Sequence, residues 1–216
     1  MKPTDEQIAI IEAEAPVLRV DAFAGTGKTT TLTKYAEARP HDKILYIAFN
    51  RAIRDDAQAK FPSNVKCLTS HGLAYAKFGR PYQDKLKANL KANEVSQLLD
   101  LTGKHRMMNH QAMLAGQQVI QTLGRFFSSK DEAITTEHVN LPPGQNSGTL
   151  FDPDTIAKLS SILWDRMQDP NDSGAGMLHD GYLKLFQLSQ PQLNYDIILF
   201  DEAQDANPCT LDFVSR

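Results

Sequence analysis

Nine consecutive residues, Ala22-Phe23-Ala24-Gly25-Thr26-Gly27-Lys28-Thr29-Thr30, stand between an apolar run and a helical pattern, and their types suit them to hold a phosphate chain. Gly25 and Gly27 tolerate positive φ, so successive backbone N–H groups can turn inward around an anion while the following helix adds its positive N-terminus. Lys28 would reach the β- and γ-phosphates of ATP, and Thr29 would offer its hydroxyl to Mg²⁺. Ala22 replaces the first glycine of the usual Walker A pattern, so the cradle consists of Ala22, Ala24, Gly25, Thr26, Gly27, Lys28, Thr29 and Thr30. A second constellation, Asp201-Glu202-Ala203-Gln204-Asp205, follows the apolar run Ile197-Ile198-Leu199-Phe200, which puts adjacent carboxylates at the end of a buried strand. Phosphoryl transfer needs neutralised phosphate charge and a water held in line. Lys28 supplies charge, Thr29 and Asp201 are the candidate metal holders, and Glu202 is the candidate to orient and deprotonate the water. The plain alternative for this acidic pair is a solvated loop or a helix cap.

These residues need a scaffold, and the patterns around them describe one. Val17 to Asp21 reads as a first strand, Lys28 to Ala38 as a helix, Lys43 to Phe49 as a second buried strand, a helix from Asn50 to about Phe61, and Val65 to Thr69 as a third strand. Strand, loop, helix, strand implies parallel pairing through a right-handed crossover, hence an α/β fold with its site at the strands' C-terminal ends. Ser70-His71-Gly72 opens a short helix ending near Pro81. From Tyr82 to Ser189 strands vanish and helical patterns take over: Asn93 to Leu101, His110 to Phe127, Asp154 to Met167 and Asp180 to Leu188. Leu141-Pro142-Pro143-Gly144-Gln145-Asn146-Ser147-Gly148 and the stretch from Asp169 to Gly174 read as turns. The expected organisation is an α/β core of residues 1–81 plus 190–216, interrupted by a helical insertion at 82–189. Pro208 begins a last helix.

Length and composition fit an ordinary globular chain: 216 residues, 41% apolar, 23% charged. A formal charge of -3 requires any nucleic-acid contact to come from a local groove rather than a global field. Cys67 and Cys209 lack metal-ligand spacing and are expected to be reduced and structural, and His105 and His110 show no zinc spacing. No apolar run reaches the length of a membrane span, so an intracellular, cytoplasmic protein is expected. Gln7 has two readings. With Thr4 it forms a capping-box pattern; alternatively its amide, one donor and one acceptor, matches the edge of adenine.

Taken together, Gln7, the loop 22–30, Ile47-Ala48-Phe49-Asn50-Arg51-Ala52, Thr69-Ser70-His71 and Tyr195-Asp196-Ile197-Ile198-Leu199-Phe200-Asp201-Glu202-Ala203-Gln204-Asp205 resemble the motif series of UvrD/Rep-like superfamily 1 DNA helicases, and most closely their F-box DNA helicase branch. Alanine at the position of Ala22 is usual in that family, and Tyr182-Leu183-Lys184-Leu185 with Leu188 is similar to the same branch. The resemblance implies a RecA-like P-loop core with a helical 1B insertion, ATP and Mg²⁺ as cofactors, single-stranded DNA as partner, a place at the nucleoid, and work in DNA repair and recombination. It also implies that Gln7 reads adenine and that Gln204 senses the γ-phosphate.

By the same resemblance, Asn50, Arg51, Ser70 and His71 would touch single-stranded DNA, with Phe49 as the ring that stacks, although relatives place that aromatic one position away. For His71 a helix cap or packed histidine is an equal alternative. Lys85, Lys87 and Lys91 read as a solvated face rather than a duplex-binding patch. The family continues past this sequence with a second RecA-like domain that carries transition-state arginines, each worth roughly 10³ to 10⁵ in rate. The chain is therefore expected to be the N-terminal motor segment of a helicase or translocase that does not unwind DNA alone. A truncated remnant that binds nucleotide or single-stranded DNA without unwinding, and an unrelated P-loop ATPase, are the competing possibilities.

Overall fold

A computed structural model describes residues 2–23, 25–140 and 152–216. Ala24 and the turn-rich stretch from Leu141 to Gly148 fall outside the described residues. The chain divides into two compact units, Met1–Leu73 with Leu193–Asp205, and Ala74–Gln192 with Ala206–Arg216. The first divide falls at Leu73 rather than Pro81, and the last helix joins the second unit.

In the first unit, numbered along the chain, α1 (Asp5–Ile11) and α2 (Lys28–Glu37) precede β1 (Ile44–Ala48), α3 (Arg51–Lys60), β2 (Val65–Thr69) and the start of α4 (Ser70–Ala74), and β5 (Ile197–Phe200) returns to the sheet. The sheet is parallel with order β2-β1-β5; Tyr46 of β1 lies in register with Cys67 on one side and Leu199 on the other. All five residues of β1 are buried, as an unbroken apolar run flanked on both edges requires. Around it Ala36, Ala57, Phe61, Val65, Cys67 and Leu199 close the core, and each fully buried aliphatic side chain there contributes on the order of 1.5–3 kcal/mol. Both cysteines are free and buried.

Residues 17–21 form no strand. Val17 is 86% exposed and Leu18 and Val20 are about half so. Apolar character alone secures neither burial nor a ladder, which needs a neighbouring backbone to take its N–H and C=O groups. Among the described residues β5 pairs with β1 alone, and Arg19 turns instead to Asp21 at 3.1 Å.

The second unit is mostly helical: α5 (Ala92–Leu98), α6 (Asn109–Ser128), α7 (Pro153–Gln168), α8 (His179–Leu188) and α9 (Pro208–Val214). It also holds a short parallel pair absent from the sequence reading, β3 (Leu86–Lys87) with β4 (Met177–Leu178). Asp152 caps α7, accepting from Thr155 N at 3.0 Å. Aromatic rings tie the elements together: Tyr75 meets Tyr182 at 5.8 Å, Phe78 meets Phe186 at 5.9 Å, and Phe186 meets Phe213 of α9 at 5.1 Å. These contacts explain why residues 74–81 and α9 belong to this unit.

Three lysines here have structural partners. Lys85, expected on a solvated face, donates to the carbonyls of Asp169 at 2.7 Å and Asp172 at 2.8 Å, while Lys87 pairs with Glu94 at 3.2 Å. The carbonyls satisfy the Lys85 ammonium at the end of α7, where a cation is favoured, though desolvation lowers its pKa. Lys184 is fully buried, donates to Ser129 O at 2.9 Å and sits 4.5 Å from the Phe126 ring centre.

Helix α6 offers a paired test of packing. A Cβ on Gly116 would lie 2.5 Å from the backbone oxygen of Ala92, which cannot step aside, whereas one on Gly124 would meet nothing within 4 Å. Gly116→Ala should destabilise the chain by about 1–3 kcal/mol. Gly124→Ala should stabilise it by about 0.5–1 kcal/mol through lost unfolded-state entropy. Denaturant melts of the two variants beside wild type check both signs.

Candidate functional site

The glycines of the loop adopt the backbone that their type allows: φ is +80° at Gly25 and +84° at Gly27, which is the residue preceding the first turn of α2. The turn is held by Thr26 Oγ1 donating to Phe23 O at 2.7 Å and by Thr31 N donating to Gly27 O at 2.9 Å. Lys28 opens α2, with Thr29 beside it half-buried and Thr30 exposed. Ala22 and Phe23 are exposed at the loop's entry, where the expected strand is replaced by chain without regular structure.

Beyond β5, Asp201 keeps to the sheet by donating its backbone N–H to Ile47 O at 3.2 Å. The chain then turns sharply at Glu202, whose φ of +51° is left-handed for a residue with a Cβ and costs about 1–2 kcal/mol. A short 3-10 turn, Ala203–Asp205, follows. This turn brings Glu202 Oε1 to 2.5 Å from Lys28 Nζ, across 174 positions of sequence. Gln204, exposed, donates its amide to the other oxygen of Glu202. Contact with Lys28 first, and Gln204 second, holds the Glu202 carboxyl below its usual range, and Glu202 in turn holds Lys28 above its own.

Gln7 closes the capping box and makes one further contact, to the glycine turn. Its Oε1 accepts from Thr4 N at 3.1 Å, closing the capping box with Thr4 Oγ1, while its Nε2 donates to Thr26 O at 3.2 Å in the glycine turn. Sequence reasoning missed one residue of this cluster, Tyr46. Its ring is wholly buried in β1, and its hydroxyl donates to Asp201 Oδ2 at 2.6 Å. A lone phenol within an aliphatic strand was the available signal, because a buried O–H needs a partner.

The second group of candidates gathers at the ends of β1 and β2. Asn50 caps α3, its side-chain oxygen accepting from Ile53 N at 2.9 Å, and Arg51 follows it, exposed. Phe49 is 60% exposed. Ser70 and His71 lie part-buried on the first turn of α4, where the cap is Thr69, whose hydroxyl accepts from Gly72 N at 3.0 Å. Among the described residues no group of three or more His, Cys, Asp or Glu could hold a metal, and no helix is long and apolar enough to cross a membrane. Shallow clefts of 640 and 580 Å³ lie along residues 130–137 of the second unit and include none of these side chains.

Against known proteins, 99% of the chain aligns with F-box DNA helicase protein 1 of Schizosaccharomyces pombe at 37% identity, covering 26% of that protein. F-box DNA helicase 1 of Gallus gallus aligns at 37% identity over 99% of the chain and 22% of its own length. The chain is thus homologous to UvrD-like helicases of superfamily 1. Within them, it corresponds along its whole length to a segment of the F-box DNA helicases, about a quarter of the length of these relatives. No family model and no solved structure matches it. Both relatives are eukaryotic, so the nucleoid placement drawn from sequence finds no support in them.

The Lys28–Glu202 pair is about a third exposed on each side, 31% and 29%, so solvent screens it. Its pH dependence follows from the two shifts. A carboxyl lowered in the folded state adds stability above its ordinary value of 4.5 and loses it as pH falls through the lowered value; a raised lysine adds stability below 10.5 and loses it as pH rises through the raised value. The difference in melting temperature between wild type and Lys28→Met should be level from about pH 5 to 9 and shrink towards both extremes. Thermal melts across pH check this.

Proposed function

We propose that this chain is the ATP-binding part of a UvrD-like DNA helicase or translocase, with a RecA-like P-loop core in the first unit and a 1B-like helical insertion in the second. One observation carries the proposal: the ammonium of Lys28, at the mouth of a glycine turn that opens a helix, meets the carboxylate that follows β5. Two distant segments, each with residue types suited to phosphoryl transfer, thus form one cluster. The homology supports the class of activity, while the relatives' activity on DNA is carried to this chain as inference.

Within that cluster the side chains divide the work by charge. Lys28 exchanges Glu202 for the phosphate oxygens of ATP, the stronger and more concentrated anion. Glu202, released from the ammonium, orients the attacking water and takes its proton. In this proposal Gln204 reports which of these arrangements holds, a role supported by its contact with Glu202. The oxygen donors of Thr29 and Asp201 fit Mg²⁺, which takes one or two protein oxygens together with phosphates and waters and needs no cage of acids. When bound, that ion neutralises charge developing on the phosphoryl oxygens. In this proposal Gln7 reads adenine, a role supported by its contact with Thr26 in the glycine turn. Exposed Phe49 offers a face for a base, and Arg51, with Asn50 before it and Ser70 and His71 following the adjacent strand β2, offers contacts to the backbone of single-stranded DNA.

The purified chain should bind a fluorescent ATP analogue in the presence of Mg²⁺, and Lys28→Ala should weaken that binding at least about tenfold, given the strength of charge-assisted phosphate contacts. Glu202→Gln should bind at least as tightly yet retain nucleotide unhydrolysed under single-turnover conditions. Equal binding by wild type and Lys28→Ala would overturn the assignment. Binding with no hydrolysis by either wild type or Glu202→Gln would assign nucleotide binding without turnover.

A further inference from the structure

Asp201 is held by a group outside the motif that contains it. Its Oδ2 accepts from Tyr46 at 2.6 Å and its Oδ1 accepts from the Glu202 backbone N–H at 3.0 Å, so each carboxylate oxygen has a donor and the plane of the carboxylate is fixed from two sides. Tyr46 is itself immobile. It stands in the middle of the fully buried β1, between Cys67 and Leu199 in register, with its ring against Phe61 at 4.9 Å. The phenol is a neutral donor: it does not cancel the carboxylate's charge, and it leaves a lone pair on each oxygen for a further partner. A lysine or arginine in its place would compete with a cation. Nothing about packing requires a hydroxyl there, since phenylalanine would fill the same volume without needing a partner.

We propose that Tyr46 is a positioning residue that orients Asp201 towards Mg²⁺, so that the metal affinity of the nucleotide site is set partly from the centre of the sheet. The proposal rests on the nucleotide-site assignment above and deepens it. A hydrogen bond that orients a metal-binding carboxylate is commonly worth 10- to 100-fold in metal affinity.

The test is a Mg²⁺ titration of fluorescent-ATP-analogue binding to the purified chain, for wild type, Tyr46→Phe and Asp201→Ala, with binding in excess chelator and a thermal melt for each. Tyr46→Phe should raise the Mg²⁺ concentration for half-maximal enhancement about tenfold, while binding in chelator and the melt stay at wild-type values. Asp201→Ala should abolish the metal dependence. If Asp201→Ala does so and Tyr46→Phe titrates like wild type, Tyr46 has no positioning role and the nucleotide-site assignment stands. If Tyr46→Phe lowers binding in chelator as much as in Mg²⁺, or melts early, the hydroxyl supports the fold rather than the carboxylate, and the proposal fails. If wild type binds nucleotide without regard to Mg²⁺, Asp201 is no metal ligand, and the assignment and the proposal fall together.

Discussion

Strand β1 is buried on every side, so each of its backbone N–H and C=O groups must be met by a neighbouring strand. That requirement fixes β2 on one edge and, across about 150 residues of intervening sequence, β5 on the other. The chemistry follows from it. Pairing Ile47 with Phe200 sets Asp201 and Glu202 just past the sheet's C-terminal end, where the following turn delivers Glu202 to Lys28. Most of the helical second unit, residues 74–192, falls between β2 and β5 in sequence, and both strands still pair in parallel with β1.

Electrostatics complete what the ladder begins. At the glycine turn the backbone presents N–H groups and the N-terminus of α2, both favourable to anions, and in this structure the anion nearest Lys28 is a side chain of the protein itself. The left-handed backbone at Glu202 is an observed departure from the preferred conformations, located where the proposed water-activating carboxylate must turn away from Asp201. Adjacent residues with different directions are what two separate tasks demand. Tyr46 serves Asp201 and Lys28 serves Glu202, so each carboxylate has its own partner drawn from a different element.

Local rules made much of this legible before any coordinates. An unbroken apolar run bounded by polar residues marked β1 to within a residue, the stretch Val65–Thr69 marked β2, and the helix read from Asn50 begins there because a short oxygen-bearing side chain caps exposed N–H groups. Positive φ at Gly25 and Gly27 followed from glycine's lack of a Cβ. Long-range pairing was not legible. Residues 17–21 have the composition of a strand, but whether a backbone has a partner is a property of the whole sheet. Lys85 and Lys184 look like surface residues in sequence, because the carbonyls that receive them, on Asp169, Asp172 and Ser129, come from positions 55 to 87 residues away. The Tyr46–Asp201 bond spans 155 positions, and only the need of a buried phenol for an acceptor hinted at it.

The two-sided use of Gln7 ties the first helix to the loop. One amide closes the cap of α1 with its oxygen and grips the Thr26 carbonyl with its nitrogen. A ligand that draws this amide away must loosen both attachments, and a ligand that leaves it in place strengthens them. Ligation at the loop and fraying of the N-terminal helix are therefore linked equilibria, and linkage is reciprocal. Whatever steadies α1 from outside, by neighbouring chain or by partner, shifts the affinity of the loop by the same factor that the loop's ligand shifts the helix.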